Sequence, residues 1–277
     1  MILRYFNQYR VQVSNFAYLS VVQLGNMILP LIVLPFLLNR LGIDNYGLVV
    51  FSQSIAAYFA VFMRFGFNTY ATQQVSRFSE NKSKLNEIFI NVVFLEVSFF
   101  LVSISAMLGY FSLVPIKYSD VYVYSLMAAF METLLPIWYF QGIERMKYIT
   151  LINLSTKVIS LICILLFIKT SSDYLIVPIC YLVGSLIVFF ISLFILIKHK
   201  VLKFNFPTLQ SLFLYLKNSV VFVFSDLMAI LKDKMNIMLL GTFVGMNAVA
   251  YYDLAEKIVW AFRSVFSNVN SAFFPYF

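Results

Sequence analysis

Residues 174–197 read YLIVPICYLVGSLIVFFISLFILI, 24 residues without a charged side chain. A helix rises about 1.5 Å per residue, and crossing a hydrocarbon layer takes roughly 20 apolar residues. This stretch is therefore predicted to span a membrane. Working outward from it, comparable runs lie at 16–38, 47–65, 88–111, 121–140, 149–168, 219–241 and 255–277. That makes about eight predicted spans. The run at 219–241 contains Asp226, Lys232, Asp233 and Lys234, and the last carries Glu256, Lys257 and Arg263, so both score poorly on hydropathy alone. Composition agrees with the spans: 62% of the chain is apolar and 12% charged, where soluble domains hold roughly 45–50% and 25%. A soluble enzyme cannot hide that much apolar surface, and a disordered or collagen-like chain would not carry it. The predicted class is an all-α polytopic membrane protein.

Orientation follows from the basic residues. With the N-terminus in the cytoplasm, the inner segments hold 12 Lys and Arg: Arg4, Arg10, Arg64, Arg77, Lys82, Lys84, Arg145, Lys147, Lys198, Lys200, Lys203 and Lys217. The outer loops hold three, Arg40, Lys117 and Lys169. This asymmetry is the positive-inside pattern, and it accounts for the net charge of +8 without a nucleic-acid partner. The apolar run at 16–38 exceeds a secretory h-region and precedes no small-x-small site, so the first helix is expected to remain as an anchor.

The largest gaps between spans are 66–87 and 198–218. In the second, Leu209, Leu212, Phe213 and Leu216 stand at helical spacing, which predicts an interfacial amphipathic helix at a hinge. The residues after the first span, 37–47, share a helix end, a Gly turn and an Asp or Asn with 240–250 after the seventh, an offset of 203 residues. Repeated halves are common in transporters. The predicted domains are a six-helix bundle at 1–200, a cytoplasmic connector at 201–218, and the first two helices of an incomplete second bundle at 219–277.

Catalytic and nucleotide-binding signatures are missing from the sequence. It has no G-x-x-x-x-G-K-[ST], no H-E-x-x-H and no G-x-S-x-G. Cys163 and Cys180 sit in apolar runs and read as small hydrophobes, and a single histidine, His199, makes a metal site improbable. No enzyme activity, cofactor or metal is expected.

The intramembrane charges are the informative residues. Each costs about 2.5–3.5 kcal/mol at a bilayer centre on insertion scales, so it persists by facing water, pairing or snorkelling. Glu96, Glu132 and Lys157 lie in the third to fifth spans. Asp226 and Asp233 share a face of the seventh with Lys234 and Lys232 beside it, while Asp253, Glu256, Trp260 and Arg263 form a stripe on the eighth. Ion pairing that fixes helix packing explains any one of them equally well. Contributions from five spans point instead to a hydrated, partly cationic cavity for an anionic headgroup. Arg64 reads either as part of that cavity or as a positive-inside anchor. The candidate anion contacts are Arg64, Lys157, Lys232, Lys234 and Arg263. The candidate coupling or ion-pair residues are Glu96, Glu132, Asp226, Asp233 and Glu256. Pro30 and Pro35 inside the first span predict a bend, used as a gate or static. Tyr and Phe at span ends read as interface belts. The cavity reading requires Lys157, Asp233 and Arg263 to converge.

Several stretches carry a family resemblance: Asn15 to Leu19 and Pro30 to Leu37 in the first span, then Arg40-Leu41-Gly42 and Tyr46-Gly47; Phe65-Gly66-Phe67-Asn68 and Ala71-Thr72; Pro136 to Glu144; Asp233-Lys234, Leu240-Gly241, and Tyr251 to Ile258. In their order and spacing they resemble bacterial lipid-linked oligosaccharide flippases, the O-antigen and capsule repeat-unit translocases of the polysaccharide transporter family. The resemblance covers nearly the whole chain. It implies a fold in the superfamily of multidrug and toxic compound extrusion transporters, usually two six-helix bundles around a V-shaped cavity. It further implies movement of an undecaprenyl-pyrophosphate-linked oligosaccharide across the bacterial cytoplasmic membrane, with charged lumen residues receiving the pyrophosphate. Coupling to protons or sodium follows by the same likeness. The implied partners are the polyprenyl-pyrophosphate-linked glycan, membrane lipids, and the polysaccharide polymerase with its chain-length machinery. Two features depart from the pattern. Gln73 and Gln74 follow Thr72 where a charge is expected, and the chain stops at Phe274 to Phe277, near the end of the family's eighth helix. The expectation is a C-terminally truncated flippase. A drug or cation exporter of the related class, or a non-functional remnant, remains open at this point.

Overall fold

A computed structural model of the chain describes the backbone of residues 2–198 and 206–273, with side chains described for 14–198 except Phe16 and for 206–263 except Ala261. The readings of His199, of the Arg4, Arg10, Lys200 and Lys203 side chains, of the 200/201 boundary and of the end at Phe274 to Phe277 fall outside the described residues. Helices account for the structure, and no strand occurs among the described residues.

The first helix, α1 (Ile2–Leu41), turns at Gly42, whose φ of 78° is left-handed, into α2 (Ile43–Arg64). A second left-handed pair, Phe65 and Gly66, leads into the short α3 (Phe67–Arg77). Asn81 caps α4 (Lys82–Leu113) by accepting from the Lys84 amide. The predicted gap at 66–87 is thus mostly helical. The predicted span 121–140 is two helices, α5 (Ser119–Thr133) and α6 (Ile137–Gly142), parted at Leu134 to Pro136 because proline cannot donate to the preceding turn. There follow α7 (Met146–Phe167), a 3-10 turn at Ser171–Leu175, α8 (Ile176–Lys198), α9 (Leu209–Phe243) and α10 (Met246–Phe273).

Seven helical segments among the described residues are long and apolar enough to cross a membrane: Ala17–Leu41, Ile43–Arg64, Lys82–Leu113, Ser119–Gly142, Met146–Phe167, Ser171–Lys198 and Leu209–Phe243. The eighth predicted span is helical too, as α10, but Asp253, Glu256, Lys257 and Arg263 keep it outside that set. The amphipathic stretch from Leu209 needs correction. It is no separate interfacial helix, since α9 runs unbroken from Leu209 to Phe243, across the predicted boundary at 218/219. The sequence between them has no Pro or Gly before Gly241, and the buried face of the first turns is held by protein. Tyr215 packs edge-on against Tyr70 of α3, and Asn218 donates to the Tyr70 hydroxyl at 3.0 Å.

Small residues let the rods approach, as expected where lipid supplies no hydrophobic drive between helices. A Cβ on Gly184 of α8 would lie 2.2 Å from Ser160 Oγ of α7. Two apolar cores result. One joins the end of α1 and the length of α2 to α5, α7, α8 and α10, around Tyr46, Leu126, Ile164 and Val249. The other joins α3, α4, α6, α7, α8 and the start of α9, around Phe67, Val92, Trp138 and Val188. Along α7 and α8 the residues between the two cores are small or polar: Asn153, Thr156, Lys157 and Ser160, then Tyr181 and Ser185. Outward faces stay apolar, with Phe190, Phe194 and Ile197 of α8 exposed as a lipid-facing row.

Candidate functional site

Between the cores lies a cavity of about 540 Å³, bordered by α1, α2, α5, α7, α8, α9 and α10. Four basic residues line it: Arg64 at the end of α2, Lys157 in the middle of α7, Lys234 on α9 and Lys257 on α10. Two carboxylates, Glu132 of α5 and Asp253 of α10, face the same space. Serines, Thr156, Asn153 and Gln53 complete a wall that water or a polar ligand can solvate. The formal balance is cationic by two charges.

Each cation is held differently. Lys157 Nζ donates to Asn26 Oδ1 on α1 at 2.6 Å, and Glu132 is the acid whose charge acts on it. The turn that supplies Asn26 is the one Pro30 weakens. Lacking an N–H, Pro30 leaves the Asn26 carbonyl without its helical donor. Pro30 itself borders the cavity, so the weakened turn and the Lys157 contact belong to one place. Lys257 Nζ donates to Asp253 Oδ2 and to the Tyr46 hydroxyl, both at 2.7 Å. Arg64 is the cationic neighbour of Glu96 and of Asp226, and its buried Nε has no hydrogen-bond partner among the described residues. Lys234 acts on Glu256, and among the described residues no carboxylate lies within 4.0 Å of it.

The structure brings together only part of the set read from the sequence. Arg64, Lys157, Lys234, Glu132 and Pro30 border the cavity. Lys232 and Asp233 do not; they form a 3.6 Å pair with side chains 82% and 58% exposed. Arg263 is exposed, and Asp226 and Glu256 are half-buried away from the cavity lining. Glu96 is fully buried behind the wall, with neither carboxylate oxygen hydrogen-bonded. Pro35 is exposed and borders nothing. The expected convergence of Lys157, Asp233 and Arg263 fails, and with it the cavity as read from the sequence: Lys157 lines the chamber while Asp233 and Arg263 stay exposed, and the cations that meet there are Arg64, Lys157, Lys234 and Lys257. Asp226 and Asp233 share a helix face with Ile230 of the cavity lining and buried Ile237, but Asp226 is only half-buried and Asp233 58% exposed, so neither carboxylate joins the lining. Conversely Asp253 and Lys257 were not singled out as site residues, although their i,i+4 spacing marks a pair on one face. Tyr46 stood out only within the family-like Tyr46-Gly47 stretch and Tyr181 not at all, because an inward tyrosine looks in sequence like a belt tyrosine.

Helices arranged around a polar, net cationic chamber define a polytopic membrane protein. The chain belongs to the family described as polysaccharide biosynthesis protein, whose match covers residues 12–277. Two curated relatives share the name "Putative O-antigen transporter". The one from Escherichia coli (strain K12) is 28% identical over 265 residues, 94% of this chain and 63% of its own length. The one from Shigella dysenteriae is 24% identical over 265 residues, 95% of this chain and 66% of its own length. The chain thus spans less than two thirds of the length of these relatives. No solved structure matches it.

Proposed function

We propose that this chain is the larger part of a flippase that carries a polyprenyl-pyrophosphate-linked oligosaccharide across the bacterial cytoplasmic membrane for O-antigen or capsule assembly, with its N-terminus on the cytoplasmic side. The observation that carries this reading is the excess of cations, Arg64, Lys157, Lys234 and Lys257, around a chamber lying at mid-helix. A pyrophosphate cannot enter hydrocarbon unaided. A wet cationic groove lowers that barrier for the head while the polyprenyl tail stays in lipid. Among the described residues Arg64 and Lys234 have no carboxylate within 4.0 Å, which leaves them able to receive phosphate oxygens. Lys157 is pre-positioned by Asn26. Alternating access would then rock one bundle against another, as in other repeat-built transporters. In this reading α9 and α10 open the second bundle. Their charged outward faces, with Asp226, Asp233, Glu256 and Arg263, are where the rest of the relatives' length would pack.

The test is complementation of a deletion strain, reading lipid-linked repeat units stalled in the inner leaflet. Lys157→Ala and Lys234→Ala are expected to cut export about tenfold or more, in line with losing a charge-assisted contact in a desolvated site. Lys232→Ala, on the exposed pair, is expected to leave export within about twofold of the parent, as exposed pairs contribute little. Unchanged export in both cavity variants would remove the chamber from the mechanism.

A further inference from the structure

At the seam of α2 and α10 a cluster of polar groups joins the two helices beside buried Val249 and Ala250. Lys257 Nζ donates to Tyr46 Oη and to Asp253 Oδ2 at 2.7 Å each, and the Tyr46 hydroxyl donates to the same Asp253 oxygen. Tyr46 and Asp253 are buried, and Val249 and Ala250, on the preceding turn of α10, are wholly so. One residue along α2 the two backbones touch, since a Cβ on Gly47 would lie 1.9 Å from the Met246 carbonyl oxygen. Lys257 differs from its partners. Its side chain is 33% exposed, and it faces the cavity that Asp253 also lines. One ammonium group therefore both closes the seam and meets whatever enters the chamber.

We propose that Tyr46, Asp253 and Lys257 form a latch between α2 and α10 that an anionic group in the cavity, a phosphate or pyrophosphate, releases by drawing Lys257 off Asp253. An anion beside Lys257 competes with the Asp253 carboxylate for the same N–H donors. Once Lys257 leaves, Asp253 stays buried with the Tyr46 hydroxyl as its remaining described donor, and removing one partner of a buried ion pair is strongly unfavourable. Letting water into the seam relieves that state, which means parting α2 from α10. The anion-release half rests on the carriage reading above. The latch itself does not.

The reporter is Ala250→Cys in the full chain with Cys163→Ser and Cys180→Ala, labelled by a membrane-impermeant maleimide in right-side-out and inverted vesicles. Exposed Asp44→Cys marks the membrane face onto which this end of α2 opens. The parent is expected to label slowly, and Asp253→Asn and Lys257→Met about tenfold faster, given the cost of orphaning a buried charge. Lys257→Arg, which keeps charge and donors, should stay slow. Should either charge-removing variant fail to accumulate, Tyr46→Phe removes two of the three hydrogen bonds and should accelerate labelling. Adding undecaprenyl pyrophosphate should speed the parent and leave Lys257→Met unchanged. Equal labelling in the parent and the charge-removing variants overturns the latch. A parent rate indifferent to undecaprenyl pyrophosphate, with the variants still fast, overturns release by anion. Loss of export in the Lys157 and Lys234 variants is read separately, so failure of the carriage reading leaves the labelling result intact.

Discussion

Glu96 is the residue whose placement is hardest to justify by stability. It sits fully buried on α4 with both carboxylate oxygens unbonded, and Arg64 is the nearest cationic influence upon it. A buried carboxylate that no donor serves contributes little to stability and often costs. Glu96→Gln is therefore expected to leave the detergent-solubilised protein equally or more heat-stable, measured as Tm; a fall of several degrees would show that a donor to the carboxylate exists. At this scale the sequence was informative in one direction only. It showed that Glu96, Glu132, Lys157 and Lys234 are too costly to be incidental, because charges in a 62% apolar chain stand out. It could not rank them, since whether a side chain reaches the cavity depends on how each helix is rotated.

At the scale of elements, α1 joins a weakened turn to a cavity-facing one. Pro30 and Pro35 both lie within it, yet the helix continues through them. Only Pro30 borders the cavity, next to the turn whose Asn26 holds Lys157. Pro30→Ala restores the hydrogen bond to the Asn26 carbonyl and should raise Tm, in line with an interior proline costing on the order of 3 kcal/mol. Export is expected to fall, because the stiffened turn no longer yields around Lys157. Pro35→Ala should raise Tm with export unchanged. Equal export in both variants would mean a static kink. Helix existence was legible for every long apolar run, while helix ends were not. The 209–218 stretch looked like a hinge because its pattern is amphipathic, and in the fold Leu212 and Tyr215 meet protein while Leu209 and Phe213 stay 86% and 68% exposed. An amphipathic face says that something apolar covers it, and a protein neighbour serves as well as lipid.

For the molecule as a whole, the contact of α10 with α2 and α1 decides whether Asp253 and Lys257 close one side of the chamber. That contact depends on Gly47, where the α10 backbone leaves no room for a side chain. Gly47→Val should lower stability by about 1–3 kcal/mol through overpacking, read as Tm in detergent. Gly109→Val, at a site with nothing within 4 Å, is the matching control and should have a much smaller effect. Equal Tm losses in the two would show that the α2–α10 approach is looser than described. The family, all-helical class and the set of long spans were all contained in the chain's own residues, because twenty-odd uncharged apolar residues have one stable solution in a bilayer. Which charges meet was decided by the tertiary structure alone. Sequence spacing gives the face a residue shares with its helical neighbours, but the direction that face points is set by packing against other helices, through glycines such as Gly47 and Gly184. Thus Lys257, Asp253 and Tyr46 come together from positions some 210 residues apart, while Asp233 and Arg263, equally costly in the sequence, point elsewhere.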